Sequence, residues 1–509
     1  MPIIRFAIRK IKAAAGAGRP EAQEVQGSPP APKDDAMQGV PAKEAPEADM
    51  DAESRVAKPF DPFTADLPAD PAEARSKMRS FTAIVVMGFA LVIDYSSTLM
   101  SIQALYYLVR GPDRLYGLTF GCYDLAALLC APFFGLWVDR THRFKAAVLL
   151  GAVCGAVGNY VYGFTLLAGQ WYLMLIARLI AGAGSAVLGA GGAYITMTSS
   201  MEAQQAKMGR FRVTQILARA VGPFIGFLFL ALPSPTYGSS DALKTFNWYT
   251  IPGWLSAAAI SLLCLYFAWA FVDPTRANGH LVDPVSVAAA ATPARRREFL
   301  SFFVPWTLQT GLVAMLVMAQ FSNYFGLMAG QFHQIWQQSD TWRAFIAAGV
   351  GSLTAGFVYR RGMNMAPAVF NERNVILAGN FLLTLGFLLL VPYRGADWVP
   401  PPGLFYAGTG LLSCGYTASA TCAETILAKK VQQYADVVGG HVAKYMSVLY
   451  AFISAGRFAG PLIVAAITRI ATPAGDTFVC TTGWIFEPDG DVTCNGPPDL
   501  QCGVTASDY

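Results

Sequence analysis

The chain has 509 residues, of which 54% are hydrophobic and only 14% are charged. Soluble globular chains carry about 25% charged residues, so this composition indicates a membrane protein. The net charge of +4 is spread along the chain and forms no basic patch of the kind that binds nucleic acid. The sequence has no zinc-ligand spacing, phosphate-binding P-loop or serine elbow. We therefore expect no enzyme activity, no metal and no cofactor.

Residues 1–80 are predicted to be a cytosolic tail. The first 20 residues are basic, and Ile4, Ile8 and Ile11 repeat at helical spacing. They form either a short amphipathic helix on an anionic membrane face or a disordered segment. Residues 21–78 are rich in Ala, Pro, Glu and Asp, with few large apolar groups, which is typical of disorder.

From Phe81 onwards, eleven apolar segments are long enough to cross about 30 Å of hydrocarbon. Six lie in residues 81–272 and five in residues 301–470, joined by a cytosolic linker at 273–300. The spans are predicted at 81–108, 115–137, 146–168, 171–198, 211–232, 250–272, 301–328, 342–360, 374–392, 403–428 and 443–470. The sequence thus predicts an all-α membrane protein with two helical bundles of six plus five helices.

Lysine and arginine cluster in the loops on one side of these spans. Examples are Arg79 before span one, Lys145 after span two and the run 295–297 between spans six and seven. Because basic loops stay in the cytosol, this pattern predicts a multi-pass protein with a cytosolic N-terminus. Residues 471–509 are then a luminal or extracellular tail. Its three cysteines allow one disulfide of undefined pairing among Cys480, Cys494 and Cys502.

Two strings of the form R-x-x-G-P-x-I indicate an internal duplication. One occupies residues 219–225 in span five and the other residues 457–463 in span eleven. Because each string stands at the same place in its half, we predict two related six-helix units. The second unit contains five spans, so we expect that its twelfth helix was truncated or lost.

Small residues and prolines in these spans are interpreted as packing and bending positions. Glycine lets two helices approach closely, and proline bends a spanning helix. The positions are Gly182, Gly184, Gly222, Pro223, Gly226, Gly460 and Pro461.

The loop after span two resembles the G-x-x-x-D-R-x-x-R/K signature of the major facilitator superfamily. It contains Gly135, Asp139, Arg140 and Arg143. Arg178 and the glycines that follow it resemble the superfamily's span-four motif, and the glycine–proline step of span five resembles a third motif. The resemblance implies two bundles that rock around a central site. It also implies a gate at this loop, in which the acid approaches a helix N-terminus and the bases pair with acids of a neighbouring helix.

Four further strings resemble the eukaryotic lysosomal facilitator proteins linked to neuronal ceroid lipofuscinosis and their vacuolar phosphate-transporter kin. The strings are 172–178, 247–252, 372–379 and 456–461. This resemblance implies a lysosomal or vacuolar membrane rather than the plasma membrane, and chloride or another anion as cargo. The sequence departs from the pattern at Arg360, which stands where the first half has Asp139.

Polar side chains inside the spans are predicted to face the bundle interior. The predicted substrate-binding or coupling residues are Asp94, Asp124, Arg178, Arg219, Gln309, Gln320, Asn323 and Arg457. An excess of arginine over aspartate favours a small anion, and the aspartates are candidate proton carriers. The alternatives are a structural pairing of each aspartate with an arginine, and interhelical hydrogen bonds for the three amides.

The two duplicated arginines differ in context. Arg219 shares its half with both aspartates, whereas Arg457 ends a stripe of hydroxyl-bearing residues. We therefore expect Arg219 to join a charge network and Arg457 to be a solitary anion ligand.

The sequence predicts a monomeric secondary transporter, in contact with membrane lipids, that moves a small anion by alternating access, with protons as a candidate coupling ion. Two alternatives stay open. One is an anion (chloride) channel on a transporter frame, and the other is a transport-inactive membrane interaction protein. Saturable counter-transport identifies a carrier, and non-saturating current identifies a channel.

Overall fold

A computed structural model describes residues 70–99, 101–229, 240–274, 292–331, 338–365, 369–390, 401–471, 485–486 and 492–493. The predicted N-terminal tail up to residue 69, most of the linker and the three C-terminal cysteines lie outside the described residues.

The first half of the described chain is helical. Its helices are α1 Pro71–Thr98, α2 Ile102–Leu108, α3 Asp113–Thr141, α4 Phe144–Ala168, α5 Trp171–Ser185, α6 Leu188–Thr198, α7 Met201–Leu228, α8 Asp241–Thr245 and α9 Ile251–Ala270. We refer to this set as the first bundle.

The second half repeats long helices. They are α10 Pro293–Gln331, α11 Gln338–Met365, α12 Glu372–Leu390, α13 Pro402–Gln433, α14 Ala435–Val438 and α15 Val442–Ala471. We refer to this set as the second bundle. Two short strands, β1 Ile485–Phe486 and β2 Val492–Thr493, pair antiparallel after it.

Eight helical segments among the described residues are long and apolar enough to cross a membrane. The all-α membrane fold is therefore confirmed. Helices α7, α11 and α13 also cover predicted spans but do not belong to these eight, so the six-plus-five count stays a prediction.

The predicted first span, 81–108, is divided between α1 and α2. The hydroxyls of Ser96, Ser97 and Thr98 donate to carbonyls three or four residues earlier in α1. Such local hydrogen bonds compete with the helical pattern. They account for the end of α1 at this point.

Glycines set the close contacts between helices. Gly158 lies against α5, where an added Cβ would come 2.7 Å from the Ala177 carbonyl oxygen. Gly386 of α12 lies in the same way against α13, 2.9 Å from the Gly408 carbonyl oxygen. The two bundles therefore pack this helix pair alike. The buried apolar side chains form several clusters, and Leu383, Leu390 and Leu412 beside the second pair belong to one within the second bundle.

Four of the predicted packing glycines leave no room for a side chain. A Cβ at Gly182, Gly184, Gly222 or Gly460 would meet backbone or side-chain atoms of a neighbouring helix. Pro461 lies inside α15. Pro223 and Gly226 lie in α7, but their surroundings are not among the described features of the chain. Their bending role stays a prediction.

The two bundles meet along α3 with α15 and along α7 with α11 and α13. We call the end of the molecule where α3 ends and α15 begins the Asp139 end.

Candidate functional site

A buried acid and a buried arginine lie close together inside the first bundle. Asp94 of α1 and Arg178 of α5 are 1% and 2% exposed, and Arg178 lies within electrostatic reach of Asp94. One guanidinium nitrogen of Arg178 donates to Thr98 Oγ1 at 2.8 Å. The guanidinium also lies over the rings of Tyr95 and Tyr123, with its carbon 5.2 and 4.7 Å from their centroids. These contacts hold Arg178 in one orientation.

Several polar atoms of this pair make no hydrogen bond. Both carboxylate oxygens of Asp94, and Nε and Nη2 of Arg178, are buried without a hydrogen-bond partner among the described residues. Buried polar atoms are nearly always satisfied in proteins, because leaving one unpaired costs about 1–3 kcal/mol. The Asn159 side chain and Arg178 are the polar groups within reach of the Asp94 carboxylate. The role of Asp94 and Arg178 as site residues stays a prediction.

A second acid–arginine pair joins the two bundles. Arg457 Nη1 of α15 lies 3.9 Å from Asp124 Oδ1 of α3, and both side chains are buried. Arg457 Nη2 also donates a long hydrogen bond of 3.5 Å to the hydroxyl of Tyr416 on α13. The expectation that Arg457 would be solitary is therefore wrong. The cause is the packing of α15 directly against α3, which places Asp124 opposite the arginine.

Arg219 lies within electrostatic reach of Arg457 but has different contacts. Arg457 and Arg212 are the nearby cations, and the hydroxyls of Tyr416 and Tyr450 are also within reach. Among the described residues, Arg219 makes no hydrogen bond and no ion pair. Arg219 also lies within electrostatic reach of Asp124 and Glu424, so its predicted place in a charge network stays open, but it is the less engaged of the two duplicated arginines.

A third charged cluster was not predicted. Arg212 Nε of α7 forms an ion pair with Glu424 Oε2 of α13, and Arg212 Nη1 donates to Gln215 Oε1 at 2.5 Å. Arg212 stands at the second residue of the predicted fifth span, 211–232, and was not among the predicted site residues. Helix α7 begins at Met201 instead, so Arg212 lies well inside it. The acid was detectable, because Glu424 ends a polar stripe of span ten.

The helix-capping contact predicted for Asp139 is present at the Asp139 end, and its role as a gate stays a prediction. Asp139 Oδ1 accepts a hydrogen bond from the Ala443 amide at 2.9 Å, and Oδ2 accepts one from the Lys444 amide at 2.8 Å. The carboxylate therefore caps the N-terminus of α15 in the opposite bundle, as the motif predicts. At Gly135 a Cβ would come 2.7 Å from the Ala443 carbonyl oxygen, so only glycine fits there.

The predicted pairing of the gate arginines stays a prediction. Arg140 and Arg143 are exposed, and neither forms an ion pair within the described part of the chain. Arg143 is only within electrostatic reach of Asp273. Asp273 is instead engaged by the Lys145 amide, which donates to it at 2.7 Å.

Of the three amides predicted for the cavity, the structure describes the side chain of Gln309. It lies in a side cleft between α10, α12 and α13 whose lining contains no charged side chain. Asn380 and Ser419 line the same cleft and are joined by a 2.9 Å hydrogen bond. Gln320 and Asn323 lie in α10, but their side chains are outside the described residues.

The sequence profile of the Major Facilitator Superfamily matches residues 82–435, which is more than half of the chain.

Curated relatives are distant. An SPX domain-containing membrane protein of Arabidopsis thaliana is 28% identical over 160 residues, which is 31% of this chain and 22% of the relative. Major facilitator superfamily domain-containing protein 8 of Xenopus laevis is 20% identical over 330 residues, or 63% of this chain and 64% of the relative. The chain thus spans less than two thirds of each of these relatives.

Two solved structures share the fold. The human organic anion transporter MFSD10 superposes with a TM-score of 0.56 at 16% identity, covering 80% of this chain and 96% of that protein. The Escherichia coli fucose:proton symporter FucP superposes with a TM-score of 0.51 at 14% identity, covering 80% and 95%.

Proposed function

The chain belongs to the Major Facilitator Superfamily, and from this premise we propose that it is a secondary transporter that moves a small anion across a membrane by alternating access. The observation that carries the proposal is that Arg219 and Arg457 lie within electrostatic reach of each other. One arginine comes from each bundle, so an anion held by both would bridge the two moving parts.

The chemistry of the surroundings supports an anion. Guanidinium groups bind carboxylate, phosphate and chloride, and the hydroxyls of Tyr416 and Tyr450 add hydrogen-bond donors. Asp124 offsets only part of the positive charge near Arg457. Since Arg219 makes no ion pair with the described residues, it is the primary anion ligand of the proposal.

Contacts between the bundles at the Asp139 end supply the gate. Asp139 caps α15, and Gln432 Nε2 of α13 donates to the Ser199 carbonyl at 3.0 Å. Deeper in the molecule, Arg212 pairs with Glu424. Alternating access requires these contacts to break as the bundles rock. The basic loops identify this end as cytosolic, so the proposed state is closed towards the cytosol.

Asp94 is the proposed proton carrier. Its carboxylate has no hydrogen-bond partner among the described residues, so it can change protonation without breaking an ion pair. MFSD10 is an organic anion transporter and FucP is a fucose:proton symporter. This fold therefore occurs both in a transporter of anions and in a transporter that uses protons. The sequence resemblance to lysosomal and vacuolar facilitators supports an acidic endomembrane location.

The test is uptake by the purified full chain in proteoliposomes, with chloride, inorganic phosphate, benzoate and succinate at two luminal pH values. We expect saturable, counter-transported uptake of at least one anion and faster uptake when a pH gradient is present. Arg219→Gln should abolish it, and the exposed control Arg361→Gln should retain it. Uptake in Arg219→Gln equal to wild type would contradict the site. Non-saturating current would favour the channel, and absence of all flux would favour the interaction protein.

A further inference from the structure

The Asp124–Arg457 pair is loose for a buried ion pair. Its N···O separation of 3.9 Å exceeds the distance of about 2.7–2.9 Å at which charged groups share a hydrogen bond. The second contact of Arg457, to the Tyr416 hydroxyl, is also long at 3.5 Å. Arg457 is therefore near two oxygen atoms without being tightly bound to either.

The buried pair between Arg212 and Glu424 offers a comparison at matched burial. Its side chains are 13% and 2% exposed, and those of Arg457 and Asp124 are 10% and 3% exposed. The Arg212 guanidinium is nevertheless in direct contact with Glu424 and with Gln215 as well. Burial alone thus does not explain the open geometry at Arg457.

Positive groups surround Asp124 on several sides. The charged and titratable groups that face it come from α1, α5, α7 and α15, and are Tyr95, Arg178, Arg219, Tyr450 and Arg457. Among the described residues, Asp124 is the carboxylate that forms an ion pair with Arg457. It occupies the position at which an external anion would meet Arg457.

We propose that Asp124 is an internal substitute for the cargo. Its carboxylate partly neutralises Arg457 when the site is empty, and a carboxylate-bearing anion displaces it. This inference rests on the proposed function and adds the class of cargo, because the group to be displaced is itself a carboxylate. It also adds a coupling step. Asp124 belongs to the first bundle and Arg457 to the second, so displacement removes one link between the bundles and lets them separate.

The experiment measures equilibrium binding of radiolabelled benzoate, with chloride as a competing probe, to the purified full chain in nanodiscs. Benzoate cannot bind Arg457 while Asp124 occupies it. The apparent affinity for benzoate is therefore the intrinsic affinity multiplied by the fraction of time that Arg457 is free. Asp124→Asn should therefore tighten benzoate binding by about tenfold, the shift expected if Arg457 is free for about a tenth of the time. Asp124→Glu, with a longer reach towards Arg457, should weaken binding. Chloride should gain less than benzoate, since it lacks the two oxygens of the displaced group.

Glu424→Gln is the matched control, because it removes the other buried ion pair between the bundles. Its effect on benzoate affinity measures what loosening of the bundles does by itself, and it should be clearly smaller than that of Asp124→Asn. Equal tightening by Glu424→Gln would mean that the bundles were merely loosened, and would overturn the inference. So would unchanged or weaker benzoate binding in Asp124→Asn, or an equal gain for chloride. Failure of the proposed function has a different signature, namely wild-type benzoate affinity in both Arg219→Gln and Arg457→Gln.

Discussion

The two copies of R-x-x-G-P-x-I occupy equivalent helices yet place their arginines in different surroundings. Arg457 of α15 faces α3, which carries Asp124, and the two form an ion pair. Helix α7, which carries Arg219, packs against α11 and α13, and Glu424 of α13 lies within electrostatic reach of Arg219 but pairs with Arg212 instead. The difference therefore lies in the partner helix and not in the string. Duplication sets the depth of each arginine, and the opposite bundle decides whether it is neutralised.

The largest expected effect is on stability at the paired arginine. Arg457→Gln leaves Asp124 buried without its partner, and breaking a buried pair in this way costs about 3–5 kcal/mol. Arg219→Gln breaks no ion pair or hydrogen bond among the described residues, so its cost should be clearly smaller. Thermal unfolding of the purified variants measures both.

The control for that prediction is the double variant Asp124→Asn/Arg457→Gln. Removing both charges should recover most of the stability lost in Arg457→Gln, because no unpaired charge remains. Equal destabilisation by Arg457→Gln and Arg219→Gln would show that the ion pair with Asp124 does not distinguish the two arginines.

A smaller effect is expected at the glycines of the two strings, and there the halves should behave alike. A Cβ at Gly460 would come 2.7 Å from the backbone atoms Ala319 N and Met315 O, which cannot turn aside. At Gly222 the Ser96 hydroxyl can turn aside, but the Ser96 Cβ at 2.7 Å and the Ser97 backbone nitrogen at 2.8 Å cannot. Gly460→Ala and Gly222→Ala should therefore each cost about 1–3 kcal/mol, by thermal unfolding. A near-neutral result for either variant would contradict the packing described for that glycine.

Sequence reasoning placed the helices but not their pairings. Apolar length and basic loops locate the spans, because crossing hydrocarbon is a strong physical constraint. The motif likewise predicted the cap that Asp139 provides. The pairs Asp124–Arg457 and Arg212–Glu424 could not be derived, since periodicity gives the depth and face of a residue within one helix and not the helix that faces it. Arg212 was missed for a second reason. It stands at the very edge of the predicted fifth span, whereas α7 begins at Met201 and places it well inside the helix.

The smallest effect is expected at the gate, where the halves differ again. Asp139 caps α15, whereas the corresponding exit of α11 carries Arg360 and Arg361. A capping side chain contributes about 1 kcal/mol, so Asp139→Ala should speed hydrogen exchange of the Ala443 and Lys444 amides by about fivefold. Arg361→Gln should leave exchange at the start of α7 unchanged, because it supplies no acceptor there. If Asp139→Ala left the α15 amides protected, the carboxylate would not be what holds that end closed, and the asymmetry between the halves would be confined to the buried arginines.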